Sequence, residues 1–342
     1  MIPIAEAAGT ADAAGRREKT DLDRYLFRRK LARRVSRFFY LTLIIGICFT
    51  ILYPLIKLVP SVFSDLSDLG NPNLSILPLH WSALSFTAAW TMMMTYGPMT
   101  MPLSLLYAGA IMAVQVMVSA MAGYSLARVD FPGRNLIFFF VIFTFLVPNE
   151  SLLISQYIHF KHFDIFGIFQ AVTGSDVNLI DRPVTLFLMA ALGFGLNQSL
   201  FIFIFRQFFR GAPKELEEAA LIDGCGFYRT YFRIMLVNAK PAILTVGILS
   251  FVWNYADTYY TSYFNPSGPY LSVILNRTFS SANMQQILNS VKTWYSVPNV
   301  NNYTFDAVRQ AAALIYLIPL LILYFFFQKK LVENLEMSGI VG

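Results

Sequence analysis

Six apolar stretches divide the chain, at 38–58, 103–126, 136–154, 183–205, 241–263 and 308–327. Each is close to the roughly 20 apolar residues a helix needs to cross a bilayer. Together they predict an all-α polytopic membrane protein with six transmembrane helices. The polar stretches between them are of two kinds. Those at 60–102, 156–182 and 264–307 are long, and the first carries Asp65 and Asp68 with no lysine or arginine. Those at 127–135 and 206–240 place arginines beside the spans. Basic residues mark the cytoplasmic side, so the first kind lies outside and the second inside. Arg28, Arg29, Lys30, Arg33, Arg34 and Arg37 precede the first span, and Lys329 and Lys330 follow the last. Both termini are therefore expected in the cytoplasm. The organisation is a basic N-terminal tail at 1–37, a six-helix domain at 38–328 and a short tail at 329–342. The first 20 or so residues are small, polar and Ala-rich, which predicts disorder. They hold no apolar core before a cleavage site, unlike a secretory signal.

Composition sharpens this picture. Of 342 residues, 56% are hydrophobic and 13% charged, against about 25% charged in a typical soluble domain. The net charge of +6 does not point to nucleic acid, because the basic residues sit beside spans and suit anionic lipid headgroups. Cys48 falls in a span and Cys225 in an inside loop, so they are not expected to pair. His159 and His162, with Asp164 beside them, have metal-ligand spacing. With no second cluster, the segment reads as a surface or re-entrant helix, and no metal is expected.

The inside stretch 211–241 is the long, charged, helix-prone segment between two spans. Pro213 suits a first helical turn. Glu215, Glu217 and Glu218 follow, where carboxylates favour the positive end of the helix dipole. Gly224 is placed to end the helix in the left-handed conformation. Gly226 allows a turn into a second short helix with Arg229 and Arg233. Leu216, Ala219, Ala220 and Asp223 recur at helical spacing, a narrow stripe that a partner could approach closely. The bland alternative is an amphipathic surface helix with no partner.

These residues carry a family resemblance. Glu218-Ala219-Ala220, then Gly224, then Ile234 and Leu236, resembles the "EAA" loop of ABC-transporter permeases. The run from Glu215 to Gly224 is similar to the carbohydrate-uptake branch. Pro241 fits the pattern, whereas Val237 stands where the family usually has proline. The second helix is therefore expected to leave the loop less sharply. Three further matches follow in family order: Ala122 to Arg134 around Phe131-Pro132-Gly133, then Arg206-Gln207-Phe208-Phe209 before the loop, then the tail from Leu331 to Gly342. Pro148 and Glu150 also fit, and Asn149 departs.

The resemblance implies a bacterial inner-membrane permease subunit of the type I importer fold. It implies docking of a cytoplasmic ATPase on Glu217, Glu218, Ala219, Ala220, Asp223 and Gly224. The implied partners are a second homologous permease, two ABC ATPases, an extracytoplasmic solute-binding protein and a carbohydrate. The chain holds no Gly-rich phosphate loop followed by Lys-Ser/Thr. It is thus expected to carry no cofactor, with ATP and Mg bound by the ATPases.

Several residues are candidates for the substrate path. Glu150 is an acidic residue within an apolar stretch, a functional candidate by default, or else a cap on a broken helix. Asn197 lies in the fourth span beside Gly193, Gly195 and Gln198. Trp253, Asn254, Tyr255 and Asp257 offer the aromatic faces and polar groups a sugar requires. The same cluster also reads as an interfacial aromatic belt. Two other classes stay open: an ABC permease for a non-sugar solute, and a membrane-embedded lipid or glycan enzyme using Glu150, Asp257 and His159 as its acid/base set.

Overall fold

The structure, a computed structural model, describes the backbone of residues 4–70, 77–164 and 167–339. Side chains are described from Arg29 to Lys329 within those ranges, apart from 31, 169 and 173. Most of the C-terminal tail's side chains lie outside the described residues. In chain order the helices are α1 (Ile4–Phe63), α2 (Leu84–Met93), α3 (Thr100–Arg128), α4 (Arg134–Leu146), α5 (Asn149–Lys161) and α6 (Ile168–Thr173). Then come α7 (Val184–Ala191), α8 (Gln198–Gly211), α9 (Glu215–Ile222) and α10 (Phe227–Thr230), which runs through a π-helical turn, Tyr231–Met235, into α11 (Leu236–Asn238). The last are α12 (Lys240–Ala256), α13 (Tyr259–Phe264), α14 (Leu271–Thr278), α15 (Met284–Tyr295) and α16 (Asn302–Gly339). Among the described residues there is no strand, only two isolated bridges, Ser64 to Trp81 and Phe163 to Val177.

Among the described residues, three helical segments are long and apolar enough to cross a membrane unaided: Ala32–Phe63 of α1, all of α3, and Asn302–Lys329 of α16. Two bent pairs bring the number to five: α4 with α5, bent by 103°, and Phe227–Asn238 with α12, bent by 75°. Each departure from the six expected stretches has a local cause. The third stretch breaks at Pro148, and Val147 before it turns extended at ψ 124°, as the residue preceding a proline must. The fourth divides into α7 and α8, with Gly193 at φ 85° and Asn197 at φ 53° between them. The fifth ends at Ala256, because Asp257 starts a new helix. The N-terminal region expected to be disordered is helical from Ile4. Alanine is the strongest helix former, and a helix already nucleated by the adjoining span extends at little cost.

α3 is the hub. It packs along α8 and α12 and touches α4 and α7. At Gly123 the approach to α8 is so close that a Cβ would fall 2.6 Å from Phe205 Cβ and 2.9 Å from the Arg206 backbone nitrogen. Phe201, Phe205, Phe209, Tyr231, Met235 and Val246 fill the core where α3, α8, the π-helical turn and α12 meet. A second core joins α2, α14 and α16, and a third joins α5, α7 and α13.

Candidate functional site

The charged hairpin begins with α9. Pro213 lies just before the N-cap Lys214 rather than inside the helix, and Glu215, Glu217 and Glu218 occupy the first turn. Gly224 adopts φ 76°. The Cys225 N–H donates to the Ala220 carbonyl at 2.9 Å and the Gly224 N–H to the Leu221 carbonyl at 3.0 Å. That is the paired bonding of a Schellman cap. The stripe of small residues is split by the packing of α9 on the π-helical turn. Ala220 is buried, Leu216 and Glu217 are half-buried, and Glu218, Ala219, Asp223 and Gly224 are exposed. Leu221 and Ile222 are exposed as well, Ile222 at 86%.

Arg128, at the end of α3, ties the hairpin to the bundle. Its Nε donates to the Phe209 carbonyl at 2.8 Å, and its Nη2 donates to the Ala212 carbonyl. The Glu217 carboxylate lies 3.6 Å from the same Nε. One buried guanidinium thus donates to two carbonyls at the end of α8, the Phe209 carbonyl also accepting the Ala212 N–H at 3.3 Å, and meets a carboxylate in the first turn of α9. Arg128 thus connects α9 to α8, and the π-helical turn lies between α9 and the segment leading into α12. Despite Val237, the chain bends by 75° between Phe227–Asn238 and Lys240–Ala256. Pro241 sits in the first turn of α12, where its missing N–H costs nothing.

Roughly 20 Å further up α3, at 1.5 Å per residue, a buried polar knot holds the break between α7 and α8. Gln198 spans the break: its Oε1 accepts the Gly195 N–H at 2.9 Å and its Nε2 donates to the Ala190 carbonyl at 2.8 Å. Gln115, fully buried, donates through Nε2 to the Leu196 carbonyl at 3.3 Å. Its Oε1 accepts from Ser250 Oγ at 2.5 Å and Asn254 Nδ2 at 2.8 Å, both on α12. Side-chain amides here replace backbone bonds that the broken helix gives up, as buried backbone groups require. Gln115 did not stand out in the sequence. The available signal was a lone amide in an otherwise apolar span, where polar side chains join helices.

Three consecutive path candidates diverge. Trp253 stacks on Phe201 of α8, ring centroids 5.5 Å apart. Asn254 faces Gln115. Tyr255 stacks on Tyr316 of α16 at 4.9 Å and donates its hydroxyl to the Tyr316 carbonyl at 3.1 Å, while the Tyr316 hydroxyl donates to the Tyr255 carbonyl. Neighbours on a helix point about 100° apart, so the three do not form one surface. Asn197, left-handed, starts α8 beside the knot. Asp257 caps α13: Oδ1 accepts the Tyr259 and Tyr260 N–H groups, and Oδ2 accepts the Thr261 N–H and hydroxyl, both at 2.7 Å. Glu150 is exposed in the first turn of α5, next to Asn149, whose carbonyl accepts the Tyr260 hydroxyl at 3.4 Å. His159 sits at the far end of α5, about 14 Å along the axis from Glu150, packed edge-on against Phe160 and Phe163. Glu150, Asp257 and His159 therefore do not converge. His162 pairs with Asp176 at 2.5 Å.

Apolar spans, a helix break stitched by amides, and a charged hairpin tied to the ends of α3 and α8 are the parts of a membrane-embedded helical subunit. Residues 115–336 match the family described as the binding-protein-dependent transport system inner membrane component, and the chain belongs to that family. The match begins at Gln115 and takes in the knot, the hairpin and α12. The chain is accordingly a multi-pass transport subunit of the inner membrane. It is 27% identical over 84% of its length to the diacetylchitobiose uptake system permease protein NgcG of Streptomyces coelicolor, covering 83% of that protein. It is 28% identical over 68% of its length to the arabinooligosaccharides transport system permease protein AraQ of Halalkalibacterium halodurans, covering 70% of it. A crystal structure of a bacterial ABC transporter involved in the import of the acidic polysaccharide alginate contains a chain with the same fold. The TM-score is 0.66 at 18% identity, over 86% of this chain and 96% of that one.

Proposed function

We propose that this chain is one permease of a pair in an ATP-driven importer for a sugar or oligosaccharide. A solute-binding protein delivers the substrate, and two cytoplasmic ATPases bind ATP and Mg and drive transport. In this reading the chain crosses the membrane six times with both termini inside, α7 and α8 together making the span that the break divides. The ATPase docks on the outward face of α9, with Glu218, Ala219, Asp223 and Gly224 in contact, while Glu217 and Ala220 fix the helix from behind. Asn197 and Asn254 border the path at the knot, and Glu150 faces it at the α5–α13 corner. Trp253, Tyr255 and Asp257 brace the helices around it. The carbohydrate assignment is supported by the relatives named for oligosaccharide uptake.

The observation that carries the mechanism is the two-sided hairpin. Its inner face is fixed by Arg128 and its outer face leaves Glu218, Leu221 and Ile222 exposed. A helix so held transmits a push from below to α8 and α12, and access to the path alternates as they move. An affinity tag on the N-terminus tests it, comparing wild type with Glu218→Lys in membranes. An ATPase and a second permease co-purify with wild type, and the ATPase is lost from the variant. Purification of the chain alone in both cases would refute the reading.

A further inference from the structure

The last turns of α8 carry a cation that the transport mechanism leaves unexplained. Arg206 is 9% exposed. Its guanidinium lies over the Phe138 ring of α4, 3.7 Å from the centroid, and its Nε donates to the Leu126 carbonyl at 3.3 Å. Arg210 stands one turn further along α8, and Arg134 opens the helix that carries Phe138. Arg134 is paired with Asp130 at 2.8 Å, and Arg128 is engaged by Glu217. Among the described residues neither Arg206 nor Arg210 has a carboxylate at ion-pair distance. A buried charge is costly unless an opposite charge meets it, so this cluster calls for an anion from outside the chain.

The surface above the cluster says which anion. α4 has no buried residue, and Leu136, Ile137, Phe139, Phe140 and Phe143 are exposed along it. The helix starts at Arg134, level with the cluster, and runs 13 residues before the break at Pro148. That is about 20 Å, enough to cover one leaflet of a hydrocarbon core about 30 Å thick. Cations at one end and one leaflet's depth of apolar surface above them match a phospholipid in both halves. Basic pockets between helices on the cytoplasmic side suit anionic headgroups.

We propose that Arg206, with Arg210, binds the phosphate of an anionic phospholipid whose acyl chains lie along α4. The site belongs to the inner leaflet, and only that choice of side rests on the topology proposed above. The lipid phosphate closes the charge balance at the root of the hairpin, so it belongs to the working structure of α8.

Native mass spectrometry of the purified transporter tests this, after exchange into nanodiscs of phosphatidylglycerol or of phosphatidylcholine and release into detergent. Wild type keeps a phosphatidylglycerol adduct on this chain and no phosphatidylcholine adduct. Arg206→Leu lowers retention about tenfold, the scale of one lost charge-assisted hydrogen bond, while Arg206→Lys keeps most of it. If Arg206→Leu does not assemble, the exposed Arg210→Gln is the second variant and lowers retention measurably. Equal retention of both lipids, or retention indifferent to Arg206 and Arg210, overturns the proposal. Loss of the second permease from Arg206→Leu, with phosphatidylglycerol adducts unchanged, overturns it too and assigns the counter-charge to a protein partner. Failure of the importer reading would show instead as absence of ATPase and second permease from the wild-type preparation.

Discussion

Arg128, at the end of α3, and Glu217, in the first turn of α9, stand 3.6 Å apart. The same guanidinium bonds the Phe209 and Ala212 carbonyls, so its two neighbours are unequal. Replacing Glu217 by Gln leaves Arg128 anchored to α8. Replacing Arg128 by Gln removes the charged donor from two carbonyls and the cation beside a carboxylate, each bond to a charged group being worth about 1.5–3 kcal/mol. Arg128→Gln should therefore depress substrate uptake far more than Glu217→Gln, with both proteins inserted and ATP hydrolysis persisting. Uptake and hydrolysis measured together in proteoliposomes check it. Equal effects of the two substitutions would deny Arg128 its linking role.

Gly224 separates backbone from side-chain effects, because a Cβ built there meets nothing within 4 Å. Any cost within the chain comes from the left-handed φ of 76°, about 1–2 kcal/mol for most L-residues. Asn, which tolerates that conformation, should be milder than Ala, and Ala milder than the β-branched Val. Gly224→Val is expected to uncouple transport while leaving membrane insertion intact. Hydrogen exchange across Glu215–Ile222 should rise in the same order. Normal transport by Gly224→Val would remove the hairpin's cap from the mechanism.

The hairpin's cap was legible in the sequence because capping is local: Gly224 needs only its own φ and the carbonyls one turn back. Which glutamate turns inward was not legible. Glu217 and Glu218 are adjacent, and the choice is made by Arg128, far away along the chain. The Trp253-Asn254-Tyr255 run illustrates the same limit. Its chemistry was plain, but its three directions depend on Phe201, Gln115 and Tyr316, each on a different helix. The breaks at Pro148 and at Gly193 to Asn197 carried clear signals, proline and glycine, that the length of the apolar stretches outweighed. Apolar length reports that a segment is buried in lipid and says little about whether its backbone is continuous.

The two cysteines report topology without engineering. Cys225 is half-buried beside the cap of α9, and Cys48 is exposed within the apolar section of α1. A charged, membrane-impermeant maleimide should label Cys225 in inverted vesicles and not in right-side-out ones, and should leave Cys48 unlabelled in both. Stripping peripheral proteins from inverted vesicles should speed the labelling of Cys225 as the docking face is uncovered. Labelling of Cys225 from the outside would reverse the assigned orientation and with it the side on which the ATPases dock.

Gly195 offers the sharpest test of the knot. A Cβ there would fall 2.2 Å from Gln115 Nε2 and 2.6 Å from Gln198 Oε1, so the site admits no side chain while both amides stay in place. Gly195→Ala must displace them, and overpacking of this kind costs about 1–3 kcal/mol. The displaced amides also lose bonds to Leu196, Ala190 and Ser250. Gly193→Ala, two residues away, meets nothing within 4 Å and carries only the strain of its φ of 85°. Thermal unfolding in detergent should rank Gly195→Ala below Gly193→Ala. Truncating Gln115 to Ala removes the nearer obstacle, so the cost of Gly195→Ala should shrink in that background, a coupling visible in a double-mutant cycle. Additive costs would mean that Gly195 and Gln115 do not meet, and that the break between α7 and α8 is held by something other than their contact.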